Sequence, residues 1–357
     1  MPTLYDASRA DLERLLIGEP RYRVEQVWHA LYDELIDPAE ATTLPKALRR
    51  KLDDDLPKAL VPLAESVSDT GTTVKWLWGL DGNARVETVL MLYPDRATVC
   101  VSSQAGCAMA CGFCATGQAG FERHLTTGEI VEQVVRATQR ARSVGRRVSN
   151  IVFMGMGEPF ANYEHTWRAV ERMHDDMGVS ARHITVSTVG ITPGIRRLAA
   201  ERLPVNLAVS LHAANDALRN ELVPINKRYP IDEVVAACRV WIAANNRRLS
   251  FEWALIDGVN DRPSDASELA EIAVPLRAHV NLIPLNPTPG YATRGTPRAR
   301  VAGFRDRLRA LGVNATVRAN RGTDIDAACG QLAASTAPGV SRPVRLGPPS
   351  GARAARA

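Results

Sequence analysis

The chain has 357 residues, 45% hydrophobic and 23% charged, with a formal net charge of +5. That composition suits a globular protein and excludes a disordered or fibrous one; no run approaches the roughly 18 apolar residues of a membrane span, and the N-terminus lacks a signal-peptide pattern. The charge says little about a polyanionic partner, because Arg342, Arg345, Arg353 and Arg356 lie in an acid-free tail at 335–357 rich in Pro, Gly and Ala, which reads as disordered.

Residues 1 to about 70 read as helical. Asp11-Leu-Glu-Arg-Leu-Leu and Val24-Glu-Gln-Val-Trp-His-Ala-Leu-Tyr space their apolar residues by 3 to 4, and a third helix follows at 44–52. That last segment carries a basic run, Lys46, Arg49, Arg50 and Lys51, which suits either a solvated face or an RNA contact. Two strand-like runs at 73–80 and 85–92 flank Asp81-Gly82-Asn83, a hairpin turn signal.

From Thr98 onward the pattern alternates. Strands are expected at 98–102, 150–154, 184–187, 206–210, 249–255 and 280–283. Helices are expected at 127–143, 162–177, 192–200, 231–245, 264–276 and 298–311, the first opened by a Thr126/Glu129 capping box. Six β-then-α units imply an α/β fold with a parallel sheet, right-handed crossovers and ligand sites at the C-terminal strand ends. The expected domains are a helical module at 1–70, a β-hairpin extension at 71–97, a barrel-type domain at 98–334 and the basic tail at 335–357.

Six cysteines stand at 100, 107, 111, 114, 238 and 329. In a chain of this kind, clustered cysteines suggest metal binding or catalysis rather than a disulfide framework. The segment Gly106-Cys107-Ala-Met-Ala-Cys111-Gly-Phe113-Cys114 follows the first expected strand. Three thiolates on one tight loop can bind three irons of a four-iron cluster and leave one iron open. A structural zinc site usually wants four ligands, and neither a fourth Cys nor a His completes this local set, His124 lying beyond a run of small residues. Cys238, in an apolar helix, reads as core packing.

Other polar or flexible groups fall at strand ends. Gly157 and Glu158 follow the second strand, Ser187 ends the third, Ser210-Leu211-His212 ends the fourth, and Asn286 follows the sixth. Glycine allows close backbone approach, and a carboxylate there can accept from an ammonium group.

The C-x3-C-x-aromatic-C loop, with Phe113 as the aromatic, resembles the radical S-adenosylmethionine (SAM) superfamily, whose fold is a full or partial (β/α) barrel. The resemblance implies a partial (β/α)6 barrel, a 4Fe–4S cluster on Cys107, Cys111 and Cys114, and SAM on the open iron, cleaved to a 5′-deoxyadenosyl radical. Gly157, Glu158, Ser187, Ser210, Leu211, His212 and Asn286 become candidate SAM contacts. The stretches Val99–Cys107, Gly155–Pro159, Ser210–Ala213, Val223–Asn226 and Asp326–Gln331 are similar to the bacterial dual-specificity adenine-C2 methyltransferases of 23S rRNA and tRNA.

That closer resemblance implies that Cys329 takes a methyl group from one SAM. A radical made from a second SAM removes hydrogen from that methyl, and the resulting carbon radical adds to C2 of adenine. Cys100 then helps remove the C2 proton and resolves the adduct, leaving a Cys100–Cys329 disulfide. Glu87 is a candidate proton acceptor, its other reading being a surface strand carboxylate. Implied partners are 23S rRNA, tRNA and a reducing electron-transfer protein; a cytoplasmic monomer is expected. Arg318 and Arg321, close to Cys329 in sequence, are candidate phosphate contacts. Three alternatives stay open: an adenine-C8 methyltransferase of the same family, a different radical SAM enzyme with a small substrate, and a non-catalytic metal-dependent RNA-binding module.

Overall fold

The computed structural model describes residues 2–334 apart from 246, 289, 292, 293 and 320, so the tail at 335–357 lies outside the described residues. The N-terminal module holds helices α1 (Arg9–Leu15), α2 (Tyr22–His29) and α3 (Lys46–Asp55). Ser8 opens α1 with a reciprocal capping box to Asp11, which satisfies two otherwise orphaned N–H groups. The 3-to-4 spacing puts Leu12, Val27, Trp28, Leu31, Leu48 and Leu52 into the core.

The helical module ends earlier than expected. Residues 61–67 are strand β1 (Val61–Val67), paired antiparallel with β2 (Thr73–Gly79). β1 is the outermost strand, where Pro62 costs no ladder bond that the sheet needs. β2 and β3 (Arg85–Leu92) form the expected hairpin around Asp81–Asn83, with Gly82 at φ 74°. The extension therefore has three strands rather than two.

β4 (Ala97–Cys100) pairs antiparallel with β3 and opens the parallel region. It is followed by β5 (Gln104–Gly106), α4 (Ala115–Ala119) and β6 (Phe121–His124), a small insertion in which β5 and β6 pair with each other. Then come α5 (Thr127–Ser143), β7 (Val148–Phe153), α6 (Tyr163–Asp175), β8 (Ile184–Thr188), α7 (Thr192–Ala199) and β9 (Asn206–Ser210). The chain continues with α8 (Asp216–Leu222), α9 (Ile231–Asn245), β10 (Leu249–Leu255), α10 (Pro263–Ala273), β11 (His279–Pro284), α11 (Arg298–Ala310) and β12 (Asn314–Val317). Thr126 and Glu129 form the expected capping box at α5.

In the ten-stranded sheet the parallel strands stand in chain order, β4-β7-β8-β9-β10-β11-β12. An unreversed order with right-handed crossovers puts the helices on one face, which is the architecture of a partial barrel and not of a doubly wound sheet. Each of the six expected parallel strands is present. A seventh, β12, was missed: it is four residues long and only Ala315 among them is buried, so no alternation shows in the sequence. The core takes a fully buried residue from each parallel strand, among them Val99, Ile151, Leu207, Phe251 and Val280. Cys238 is buried in it, as expected. Among the described residues no helix is long and apolar enough to cross a membrane.

Candidate active site

The three-cysteine loop runs from β5 to α4. Its ends are tied where the Cys107 N–H donates to the Gly120 carbonyl (2.7 Å), and the Cys114 N–H donates back to Cys111 O (3.1 Å). Phe113 meets the His212 ring edge-on at 4.8 Å between centroids, so the aromatic of the motif docks the loop onto the segment after β9. All three cysteines are free thiols. Burial pushes the Cys107 thiol up to about 12 and that of Cys111 further, so thiolates here need a cation in contact. Among the described residues no three His, Cys, Asp or Glu side chains gather on a single-ion site. His124 turns instead to Gln104, ring nitrogen to amide, at 3.0 Å. Three thiol donors on one loop suit an iron–sulfur cluster.

Cys111 and Cys114 open onto a cavity of about 160 Å³ at the C-terminal ends of the parallel strands, partly open to solvent. Its wall includes Gly157, Glu158, Ser187, Ser210 and His212, five of the seven candidate SAM contacts. Gly157 has φ +98°, and a Cβ there would lie 2.5 Å from that of Gln104. The close approach lets the Gln104 side chain accept from the Glu158 N–H at 2.7 Å. The Glu158 carboxylate accepts from the N–H groups of Phe160 (3.0 Å) and Val189 (2.8 Å). Burial nevertheless raises it to about 7, against the pull of the hydrogen bonds from Val189, Thr188 and Phe160. Ser187 and Ser210 hydroxyls stand 3.5 Å apart. His212 is uncharged: burial lowers it to about 3, with Arg219 adding to the effect, and its Nδ1 accepts from Ala254 N–H (3.0 Å).

Two of the seven are not on this wall. Leu211 is fully buried, and its carbonyl accepts from Arg219. A Leu between two wall residues at a strand end turns into the core because successive side chains alternate. Asn286 donates to the Cys329 carbonyl at 3.1 Å and so holds the segment that carries Cys329.

Cys329 borders the main cavity and also a second one, which Cys100, Val89, Met91, Tyr93 and Arg318 line. The fold thus brings Cys100 and Cys329 together across 229 residues of chain, both as free thiols. Burial pushes Cys100 up to about 12, with Cys329 adding and Arg318 opposing. The segment carrying Cys329 is strapped down at several points. Ala115 N–H donates to Gly330 O (2.7 Å), and Thr116 Oγ1 donates to Leu332 O (2.6 Å). Lys75 Nζ donates to Asp326 O (3.2 Å), while Glu87 accepts from Ala333 N–H (2.9 Å) and Ala334 N–H (3.2 Å). Glu87 is 1% exposed and ion-paired with Lys75 at 2.9 Å, so it is not a surface carboxylate. Its carboxylate lines neither cavity.

Arg318 corrects the phosphate reading. Its guanidinium faces inward between the two cavities, 3.5 Å from Met154 Sδ, where Cys329 and then Glu252 and Cys100 hold its proton against burial. Arg321 lies over the Tyr93 ring (4.2 Å) and donates to Leu92 O. Glu252, raised by burial and opposed by Arg318 and Asn281, is a wall residue the sequence reading missed. It sits mid-strand on β10 as a charged residue in Leu-Ser-Phe-Glu-Trp-Ala-Leu, and that lone acid in an apolar strand was the available signal.

The family model of the radical SAM superfamily matches residues 101–270. A protein of Roseiflexus sp. (strain RS-1) described as "probable dual-specificity RNA methyltransferase RlmN" is 47% identical, over 93% of this chain and 96% of its own length. One of the same description from Chloroflexus aurantiacus is 51% identical, over 92% of each chain. The crystal structure of a radical SAM methyltransferase from Sphaerobacter thermophilus superposes with a TM-score of 0.91 at 52% identity, covering 94% of this chain and all of that one. Membership of the superfamily implies SAM and an iron–sulfur cluster as its cofactors. By fold, site and sequence together, the chain belongs to the RlmN family of radical SAM methyltransferases.

Proposed function

We propose that this protein methylates C2 of adenosine in 23S rRNA and in tRNA through a methyl group carried on Cys329. The observation that carries the reading is the shared cavity of Cys100 and Cys329, which opens beside the cysteine-loop cavity. C2 of adenine is an electron-poor sp² carbon without a lone pair, so it cannot attack a sulfonium methyl as a nitrogen would. A carbon radical can add there, and a protein thiol is the place to prepare one.

Cys107, Cys111 and Cys114 fit a 4Fe–4S cluster, and Glu158 fits the ammonium of a methionine moiety. When bound, cluster and SAM supply hydrogen-atom abstraction. Cys329 accepts a methyl group, its sulfur displacing the sulfonium sulfur of SAM. That carbon becomes the bridge to C2 as the C2 proton passes to Cys100 and the adduct returns one electron to the redox cofactor. Cys100 then gives up its proton and attacks the Cys329 sulfur as a thiolate, so an S–S bond forms as the S–C bond breaks; the bond's electron pair goes to the methylene carbon, which takes up a proton and is released as methyl. Met154 and Arg318 line both cavities, and on this reading one cavity takes SAM and the other the base. A target adenosine must leave its stack to reach this depth. The N-terminal module with Lys46, Arg50 and Lys51 exposed on α3 suits an RNA platform, and a reducing electron-transfer protein is the natural electron source.

The test is anaerobic reconstitution with iron and sulfide, then SAM, reductant and an unmodified rRNA fragment, with mass spectrometry of the digested nucleosides. 2-Methyladenosine together with 5′-deoxyadenosine is expected. 8-Methyladenosine would move the reaction to C8, and 5′-deoxyadenosine with unmodified RNA would overturn the substrate assignment.

A further inference from the structure

Arg219, on α8, is fully buried. Its guanidinium donates to the carbonyls of Leu211 (3.0 Å), Ser210 (3.4 Å) and Val189 and to the side-chain oxygen of Asn226. All four acceptors are uncharged, and among the described residues no carboxylate lies within ion-pair distance. A buried cation with no carboxylate in contact is costly to desolvate, so its presence asks what anion it serves. Asp216 is exposed and lies beyond Asn226, whose amide donates to it, and its charge acts on Arg219 less strongly than that of Cys111.

The neighbourhood names another anion. Cys111, Phe113, Ala213, Leu222, Val223, Ala254 and Ile256 form one apolar cluster, with Leu218 and Val189 packed against it. Leu218 and Leu222 flank Arg219 on the same helix. Packing here is tight: a Cβ on Gly190 would lie 3.3 Å from the Arg219 guanidinium and 2.9 Å from Val234. Arg219 and Cys111 couple electrostatically, each favouring the charged form of the other. In so dry a wall the interaction is weakly screened. Arg219 does not line the SAM-side cavity.

We propose that Arg219 is a built-in counter-charge for the iron–sulfur cluster, acting from behind the cavity wall to raise its reduction potential. The inference rests on reading Cys107, Cys111 and Cys114 as cluster ligands. An oxidised four-iron core held by three thiolates is already negative, and the single electron it takes from a reductant adds to that charge without breaking a bond. A fixed cation nearby favours the reduced state, and cluster potentials follow local charge, hydrogen bonding and exposure. Arginine suits the task because it stays protonated where a buried lysine often does not.

The same guanidinium also holds the segments after β8 and β9 together, so the test must separate charge from scaffolding. The whole chain is reconstituted anaerobically and titrated with a chemical reductant while the reduced cluster is followed by electron paramagnetic resonance. Iron, sulfide and circular dichroism are matched first. Arg219→Gln removes the charge and keeps donors; Asn226→Asp keeps the guanidinium and cancels its charge; Arg219→Lys keeps the charge and loses the fork. In the first two, the ratio of reduced to oxidised cluster at a fixed potential is expected to fall at least tenfold, about 59 mV for one electron, while Lys stays near the unsubstituted value. Unchanged potentials in Gln and Asp, or a Lys variant that falls with Gln, would overturn the assignment. Lack of iron and of any cluster signal in the unsubstituted protein would instead overturn the cluster reading itself.

Discussion

Lys75 Nζ lies 2.9 Å from the Glu87 carboxylate, and each partner also grips the segment that carries Cys329. The antiparallel extension therefore helps hold the segment that carries Cys329 in place. Removing one partner of a buried pair leaves an uncompensated charge, at a cost of about 3–5 kcal/mol. Glu87→Gln is expected to lower stability by that order and to raise hydrogen exchange across 326–334. The double change Lys75→Met with Glu87→Leu is expected to restore much of the stability and little of the activity. Thermal unfolding and exchange mass spectrometry read both. If the single change left exchange at 326–334 unaltered, the extension would not be holding the strap.

Glu158 gives a pH signature. Its folded value, raised to about 7 by burial, exceeds the ordinary 4.5, so between those values the folded chain holds a proton that the unfolded chain has lost. Stability contributed by that proton is full below about 4.5 and is lost as pH rises toward 7. A shift of this size tilts stability by on the order of 3 kcal/mol. Apo protein unfolded by urea across pH 5 to 8 should lose stability with rising pH, and Glu158→Gln should flatten the slope. SAM binding should run the other way, strengthening above pH 7 as the carboxylate ionises to meet an ammonium group; calorimetry checks the sign.

Gly157→Ala tests the close approach to Gln104. With φ +98° and a 2.5 Å contact, the added methyl forces the 155–158 turn to move. We expect a stability loss of about 1–3 kcal/mol, as for backbone strain at such positions. SAM affinity should drop at least tenfold, because the turn carries Glu158. Wild-type affinity with lowered stability would detach Gly157 from ligand binding.

Much of this architecture was legible because its signals are local. The alternation of β and α runs from Thr98, the Thr126/Glu129 box and the Asp81-Gly82-Asn83 turn each follow from a few neighbouring residues. The cluster loop was legible because spacing and an aromatic sit on nine consecutive positions. Strands β1 and β12 were not, since both are weakly alternating edges defined by the strand they pair with. Site chemistry carried by distant partners was also hidden. Nothing near Glu87 in sequence points to Lys75 across the hairpin or to the backbone of Ala333. Arg318 read as an RNA contact because its inward turn depends on Met154 and Glu252, which arrive from other strands. Leu211 and Asn286 fell at the right strand ends, but one residue of phase or one hydrogen bond decides what such a residue touches.

The central claim is that Cys329 carries the carbon to adenine and that Cys100 releases it. The most direct measurement is Cys100→Ala protein, reconstituted anaerobically and given SAM, reductant and unmodified RNA, then digested and examined by mass spectrometry. The account predicts a covalent RNA adduct joined through one methylene carbon to the peptide of Cys329, with no free methylated adenosine. Normal turnover by the variant, with Cys329 unmodified by RNA, would contradict it.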